Sequence, residues 1–387
     1  MTRGIRCPED RWAWVEIDLD AIRDNTAALK RLVSKGSLMM CVVKADAYGH
    51  GAVRCAKAMR RSGADQFAVA TVSEGKELRD AGIHEPILIL SEPPVETVGD
   101  VVDYDLMPAV YDPDFALALG ECAASRGKVA NYHLAIDTGM TRIGVNWRDV
   151  LEMRRAIHFH RGIACAGTFT HFATADVLGD WDFSMQTKRF GDAVRALEDA
   201  GFQTGLVHCA NTPATVLHPE VHEDMCRVGI GLYGLHPAVE TRRHVHLKPA
   251  MSVRGRITRV EHPEVGTGVG YGLTYRVPKP NIQICTVPIG YADGLSRTLS
   301  GNMDVLVNGE RCRQVGRICM DQFMFQVSVN NVRAYRASRA VSHWDVVTIL
   351  GCDGDEMISA DDMAARRDTI NYEVVCDFGL RLEKVYV

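Results

Sequence analysis

Residues 39–51 read Met39-Met40-Cys41-Val42-Val43-Lys44-Ala45-Asp46-Ala47-Tyr48-Gly49-His50-Gly51. Met39 to Val43 are apolar without a break, the character of a strand covered on both faces, as in a parallel sheet. The run ends on a lysine and enters a glycine-containing loop. From Val53 to Arg61 the spacing of apolar residues becomes helical. The stretch is one βα unit.

The same alternation extends from Trp14 to about Gly234. After Trp14 to Ile17, which reads as an outlying strand, strands are predicted at Met39 to Val43, Phe67 to Ala70, Ile87 to Leu90 and Leu106 to Val110. Further strands are predicted at Tyr132 to Ile136, Ala164 to Thr170, Gly205 to Cys209 and Met225 to Val228. Helical spacing covers Asp20 to Val33, Val53 to Arg61, Ser73 to Ala81, Pro113 to Ser125, Trp147 to Ile157 and Phe183 to Ala200. This pattern predicts an α/β fold, an N-terminal (β/α)8 TIM barrel over residues 1–247. An open doubly wound sheet fits the same alternation. After Leu247-Lys248-Pro249 the text turns to short alternating strands: Ser252 to Val260, Gln283 to Val287, Asp304 to Val307, Phe323 to Val327 and Val346 to Leu350. One clear helix, Ser359 to Arg367, has Ser359 as its cap. Residues 248–387 are therefore expected to form a mostly-β domain, packed closely on the first because no linker separates them.

The 387 residues hold 44 Lys plus Arg against 49 Asp plus Glu, a net charge of −5, and 47% are hydrophobic. The mild negative charge and the lack of a basic block argue against nucleic acid or anionic membrane as the main partner, and small molecules become the expected ligands. No apolar run approaches a membrane span, and Met1 to Asp10 are polar with no signal-peptide core, so a cytoplasmic location is expected. The 12 cysteines are too dilute for a disulfide scaffold and lack a Cys-x-x-Cys, so reduced structural thiols are expected. His222-Glu223 opens like a zinc-binding motif, but position 226 is Cys, and no metal site is predicted.

A barrel places its chemistry at the C-terminal ends of its strands, where Lys44 stands. A lysine there forms a Schiff base with a carbonyl cofactor when its surroundings lower its pKa; it is also a common snorkelling side chain. The surrounding motif decides. Lys44-Ala-Asp-Ala-Tyr48-Gly-His-Gly resembles the pyridoxal-phosphate attachment sequence of bacterial alanine racemases. Seven more segments are similar to that family in order: Asp137-Thr-Gly-Met-Thr-Arg142-Ile-Gly144, Thr170-His171-Phe-Ala-Thr-Ala-Asp176, Cys209-Ala-Asn211-Thr212, and Arg227-Val-Gly229-Ile230-Gly-Leu-Tyr-Gly234. The second domain adds Gly270-Tyr271-Gly-Leu-Thr-Tyr275, Pro288-Ile-Gly-Tyr291-Ala-Asp-Gly294 and Gly316-Arg-Ile-Cys-Met320-Asp321-Gln322.

The resemblance implies pyridoxal 5'-phosphate bound as a Schiff base on Lys44, and racemisation by two bases, Lys44 for the D-enantiomer and Tyr271 for the L-enantiomer. It implies that Tyr48, Thr212, Gly229, Ile230 and Tyr372 hold the phosphate, with Asn211 lining the same pocket. Arg227 faces the pyridine nitrogen, and His171 joins it in a polar chain that favours the Tyr271 phenolate. Arg142 reaches the cofactor's phenolic oxygen and the substrate carboxylate, Met320 meets that carboxylate, and Tyr291 lies at the entrance. It further implies a homodimer in which Tyr271 and Met320 cross to the partner's site, acting on a small amino acid to supply D-alanine for peptidoglycan.

One departure stands out. Many family members carry a carbamylated lysine two residues before the aspartate matched by Asp137, and here that position is Ala135. Arg142 then needs another holder. The alternatives are a racemase of serine or another small amino acid, or a non-catalytic pyridoxal-phosphate protein, against which the second domain with Tyr271 speaks. A barrel-type decarboxylase fits less well, since its relatives place an acid where Arg227 stands.

Overall fold

The computed structural model describes residues 12–328, 341–379 and 381–387. The polar opening stretch, Met1 to Asp10, lies outside the described residues. Asp20–Lys248 form one compact unit; Pro249–Val387, with the described residues before Asp20, form another.

The strands of the first part of the chain are β1 (Ala13–Ile17), β2 (Leu38–Val42), β3 (Gln66–Val69), β4 (Ile87–Ile89), β5 (Met107–Val110), β6 (Ala130–Asp137), β7 (Val145–Asn146), β8 (Ile163–Phe169), β9 (Leu206–His208) and β10 (Met225–Val228). Eight of them form one parallel sheet in the order β10-β2-β3-β4-β5-β6-β8-β9, with short β7 beside β6. Between the ends of the series, Asp224 N–H donates to the Val207 carbonyl at 3.0 Å and Arg227 N–H to the Ala210 carbonyl at 2.8 Å. The sheet is thus a near-closed barrel, not an open one. Its strands are apolar runs because both faces are covered; all four residues of β3 are buried, and so are the last four of β2.

Helices return the chain between strands, and their starts follow local chemistry. Asp112 caps Pro113–Ser125 by accepting from Asp114 N–H at 2.7 Å, with proline in the first turn, where its missing N–H costs nothing. Two helices of this unit escaped the sequence reading, Val98–Asp103 and Thr212–Leu217. Each has six residues, too few for a helical repeat of apolar positions to show.

The second unit is a mostly-β domain. Its strands are β11 (Met251–Arg256), β12 (Arg259–Glu261), β13 (Gly268–Val269), β14 (Tyr275–Arg276), β15 (Ile282–Val287), β16 (Asp304–Val307), β17 (Glu310–Val315), β18 (Phe323–Ser328), β19 (Val346–Asp353), β20 (Glu356–Ile358) and β21 (Glu383–Tyr386). The main sheet runs β12-β15-β18-β17-β16-β19-β11-β1-β21. The outlying β1 is one of its strands, antiparallel to β11 and parallel to β21. The run read as one strand, Ser252 to Val260, is two, β11 and β12, with different neighbours. Strand β17 was not read because the polar Gln314 takes a fully buried place in it, which hides the alternation. Ser359 caps its helix through a reciprocal box with Asp362. No disulfide joins the described cysteines, and no helix among the described residues is long and apolar enough to cross a membrane.

Candidate active site

Lys44 stands two residues past Val42, the C-terminal end of β2. The loop expected after it is instead a turn of left-handed helix: Ala45, Asp46, Ala47 and Tyr48 all have φ between 50° and 55°. Ala47 N–H donates to the Val43 carbonyl and Gly49 N–H to that of Ala45, both at 2.9 Å. Non-glycine residues pay about 1–2 kcal/mol each for this conformation, so the turn holds several kcal/mol of strain that its surroundings must offset. Asp46 Oδ1 accepts from Ala52 N–H at 2.7 Å, and Glu74 Oε1 from Ala45 N–H at 2.7 Å. The buried His50 reaches back through Nδ1 to the carbonyls of Ala47 and Tyr48, and its ring packs on Tyr233.

The turn carries Tyr48 inward to meet Gly229. A Cβ on Gly229 would stand 2.7 Å from the Tyr48 hydroxyl oxygen, so only glycine fits without displacement. Gly229 N–H donates to Thr212 Oγ1 at 2.9 Å. Asn211 caps the helix that starts at Thr212, accepting from Ala214 N–H and donating to the Phe172 carbonyl, both at 3.2 Å. Ile230, buried, opens the short turn that follows Gly229. Two hydroxyls and a backbone stripped of side-chain bulk therefore meet at one place, the donor set that suits a phosphate.

Arg227, on β10, is 3% exposed. Its Nη1 donates to His208 Nδ1 at 2.8 Å and to the His208 carbonyl at 3.0 Å. Its Nη2 donates to the Thr170 carbonyl at 2.7 Å, to His171 Nδ1 at 3.3 Å and to the Cys209 carbonyl at 3.3 Å. Nε takes part in none of these, and no carboxylate does. Burial lowers the guanidinium to about 10, which still leaves it charged at neutral pH. Beyond His208 the chain continues to His133, whose Nδ1 lies 2.8 Å from His208 Nε2. Room for this pair comes from a register shift in the β6–β8 ladder at His133 and from Gly167 opposite it, where a Cβ would come 2.4 Å from His133 Nδ1. Burial and the Arg227 charge hold His133 at about 3 and His208 well below its usual range. His171 is also held at about 3, by burial and then by the cations Arg227, Arg142 and Lys44, so all three rings are neutral.

Arg142 lies in the loop after β6, and Asp137 Oδ1 folds that loop by accepting from Gly139 and Thr141 N–H at 2.9 and 3.0 Å. Arg142 is exposed and makes no hydrogen bond or ion pair among the described residues. It shares a small pocket with Ala135, Phe169 and His171. Ala135 is buried against Ala109 and Phe169, with Tyr111 alongside, an apolar wall.

The barrel's C-terminal end thus gathers Lys44, Tyr48, Arg142, His171, Asn211, Thr212, Arg227, Gly229 and Ile230. The other predicted residues lie on the second unit. Tyr271 starts a turn between β13 and β14 and is 71% exposed. Tyr291 and Met320, both exposed, stand on adjacent segments, where Tyr291 N–H donates to the Cys319 carbonyl and Ala292 N–H to that of Met320, each at 3.0 Å. Tyr372 sits in the helix Asn371–Asp377. Sequence reading missed His133, His208 and Glu74. The histidines occupy strands read simply as apolar runs; a polar residue within such a run was the available signal.

A parallel-strand barrel with its polar cluster at the strand ends, joined to a mostly-β domain, defines a two-domain α/β-barrel protein. The family model for the alanine racemase N-terminal domain matches residues 17–237, and that for the C-terminal domain matches 250–386. The alanine racemase of Nostoc sp. is 39% identical over 378 residues, covering 97% of this chain and 96% of that protein. That of Carboxydothermus hydrogenoformans is 40% identical over 379 residues, covering 97% and 100%. The crystal structure of alanine racemase from Bacillus anthracis with bound L-Ala-P superposes with a TM-score of 0.91 at 34% identity, covering 98% of this chain and 96% of the other. The chain belongs to the alanine racemase family.

Proposed function

We propose that the chain interconverts L- and D-alanine, with pyridoxal 5'-phosphate bound covalently to Lys44. One observation carries the reading: a strand-end lysine, a Gly229–Thr212–Tyr48 cradle and a buried, carboxylate-free Arg227 gather at one end of the barrel. These residues fit the cofactor. The cradle suits its phosphate, the Arg227 Nε is a donor left for its ring nitrogen, and Lys44 supplies the amine. When bound, the cofactor provides a carbonyl for amines and a conjugated ring that takes up the electron pair left as an α-proton departs.

The protein's own groups move the proton. Lys44 serves the face from which the D-enantiomer loses it, and Tyr271 serves the opposite face. Because Arg227 can only donate, His171 Nδ1 accepts and the His171 proton sits on Nε2. That N–H is the group we assign to hold the Tyr271 phenolate, since a donor to the charged form lowers a phenol's pKa from about 10. Arg227 would donate to the cofactor's ring nitrogen and, because it keeps its own proton, would leave that nitrogen unprotonated, a setting that favours simple return of a proton to the substrate over side reactions. Arg142 takes the substrate carboxylate, with Met320 beside it and Tyr291 at the entrance. Tyr372 completes the phosphate site.

Exposure of Tyr271 and Met320 supports a homodimer in which each reaches the site of the partner subunit. The enzyme works in the cytoplasm, and its D-alanine enters peptidoglycan. The test is incubation of the purified protein with single L-amino acids in deuterated water, following α-deuterium and chirality. Alanine leads. Faster racemisation of serine, or deuteration without change of chirality, would replace this reading.

A further inference from the structure

The turn after Lys44 raises a physical problem: four consecutive non-glycine residues sit at positive φ, immediately beside the one lysine on which the proposed chemistry depends. Such a turn persists only where its surroundings fix it. The fixing group on the neighbouring βα unit is Glu74, in the first turn of helix Val72–Asp80. In an ordinary capping box the glutamate returns only to the N-cap residue, and Glu74 does this for Thr71, whose N–H lies 3.2 Å from Oε2. Glu74 also does more. The same Oε2 accepts from Ala70 N–H at 2.7 Å, and Oε1 accepts from Ala45 N–H at 2.7 Å. Ala70 directly follows the end of β3, and Ala45 directly follows Lys44. One carboxylate therefore ties the C-terminal ends of two adjacent barrel strands, and its second oxygen is spent on the strained turn.

We infer that Glu74 is a positioning residue for Lys44, holding the left-handed turn so that the lysine is presented to the cofactor in one conformation. This rests on the proposal that Lys44 carries pyridoxal phosphate. A charged acceptor on a backbone N–H is among the stronger hydrogen bonds. Its loss lets the turn relax toward conformations favourable for alanine and aspartate, in which Lys44 no longer points as required.

The test separates this role from simple helix capping. The wild type, Glu74→Ala, Glu74→Gln and Thr71→Ala are titrated with pyridoxal phosphate, and the lysine-bound form is fixed with borohydride and counted at Lys44 by peptide mass spectrometry. Thermal unfolding is recorded alongside. Both Thr71→Ala and Glu74→Ala lose helix capping and unfold at lower temperature. Of these two, Glu74→Ala alone is expected to need about tenfold more cofactor for half-labelling, the scale of one charge-assisted hydrogen bond. Glu74→Gln, which keeps the shape but replaces one acceptor by a donor, also shifts upward and carries the test if the alanine variant does not fold. Adding Ala45→Gly to Glu74→Ala restores part of the labelling, because glycine adopts positive φ without strain. Half-labelling of both Glu74 variants at the wild-type concentration would overturn the inference, as would an equal shift in Thr71→Ala. A wild-type protein with no label on Lys44 would remove the cofactor reading itself, and this inference with it.

Discussion

His133 Nδ1 and His208 Nε2 stand 2.8 Å apart in the barrel wall, and one of them must carry the shared proton. The direction is set from the far end. Arg227 Nη1 can only donate, so His208 Nδ1 accepts, its proton sits on Nε2, and His208 donates to His133. Two neutral imidazoles thereby receive a buried cation that has no carboxylate partner.

Replacing His208 by Phe keeps the ring volume and removes both contacts. Arg227 Nη1 keeps only a carbonyl, and His133 Nδ1 loses its donor. The expected cost is about 2–4 kcal/mol of unfolding free energy in urea denaturation, because buried polar groups are left unmet. A change under about 0.5 kcal/mol would show that the relay is not held together in this way.

Stability should fall as the medium is acidified from about pH 6.5. Unfolded histidines take up protons near 6.5, whereas burial and the Arg227 charge hold His133 and His171 at about 3 and His208 well below its usual range. Across that window the unfolded chain binds more protons, and folding weakens as pH drops. Glu92, pushed up to about 7 by burial, and Glu223, also raised by burial, work in the opposite sense, against His133, His171, His208 and the likewise lowered His222. Melting temperatures from pH 7 to pH 4 measure the slope, and His133→Gln should flatten it.

Gly229→Ala isolates the cradle. The nearest conflict of the new methyl is with the Tyr48 hydroxyl. Overpacking of this kind costs about 1–3 kcal/mol. Affinity for pyridoxal phosphate should fall about tenfold or more, while the fold measured by circular dichroism is retained.

Much of this arrangement is legible in the chain, and the exceptions have physical causes. Lys44 and the strand before it are visible because a doubly buried strand is a plain apolar run. The turn that follows is not, since Ala-Asp-Ala-Tyr contains no glycine or asparagine to signal positive φ; its conformation is imposed by Glu74, 30 residues on from Lys44, by Asp46 and by His50. His133 and His208 are hidden for the same reason: their meaning depends on Arg227, which only the closure of the barrel brings within reach. Arg142 is readable by motif, yet the apolar wall at Ala135 that leaves it without a described partner appears only when Ala109 and Phe169 pack there.

That wall makes a prediction of its own. With Ala135 in place of a lysine, no carbamate forms, and activity should not change when bicarbonate is removed or added. Ala135→Lys should retain substantial activity in either condition. An inactive wild-type protein rescued only by that substitution would mean that Arg142 needs a built anionic holder after all.

The claim at the centre of this account is that Lys44 and Tyr271 serve opposite faces of one α-carbon. Its most direct test is α-proton exchange in deuterated water by Tyr271→Phe, with L-alanine and D-alanine supplied separately. The account predicts that D-alanine still exchanges through Lys44, while exchange of L-alanine falls by about a hundredfold or more. Equal loss for both enantiomers, or undiminished exchange of L-alanine, would contradict it.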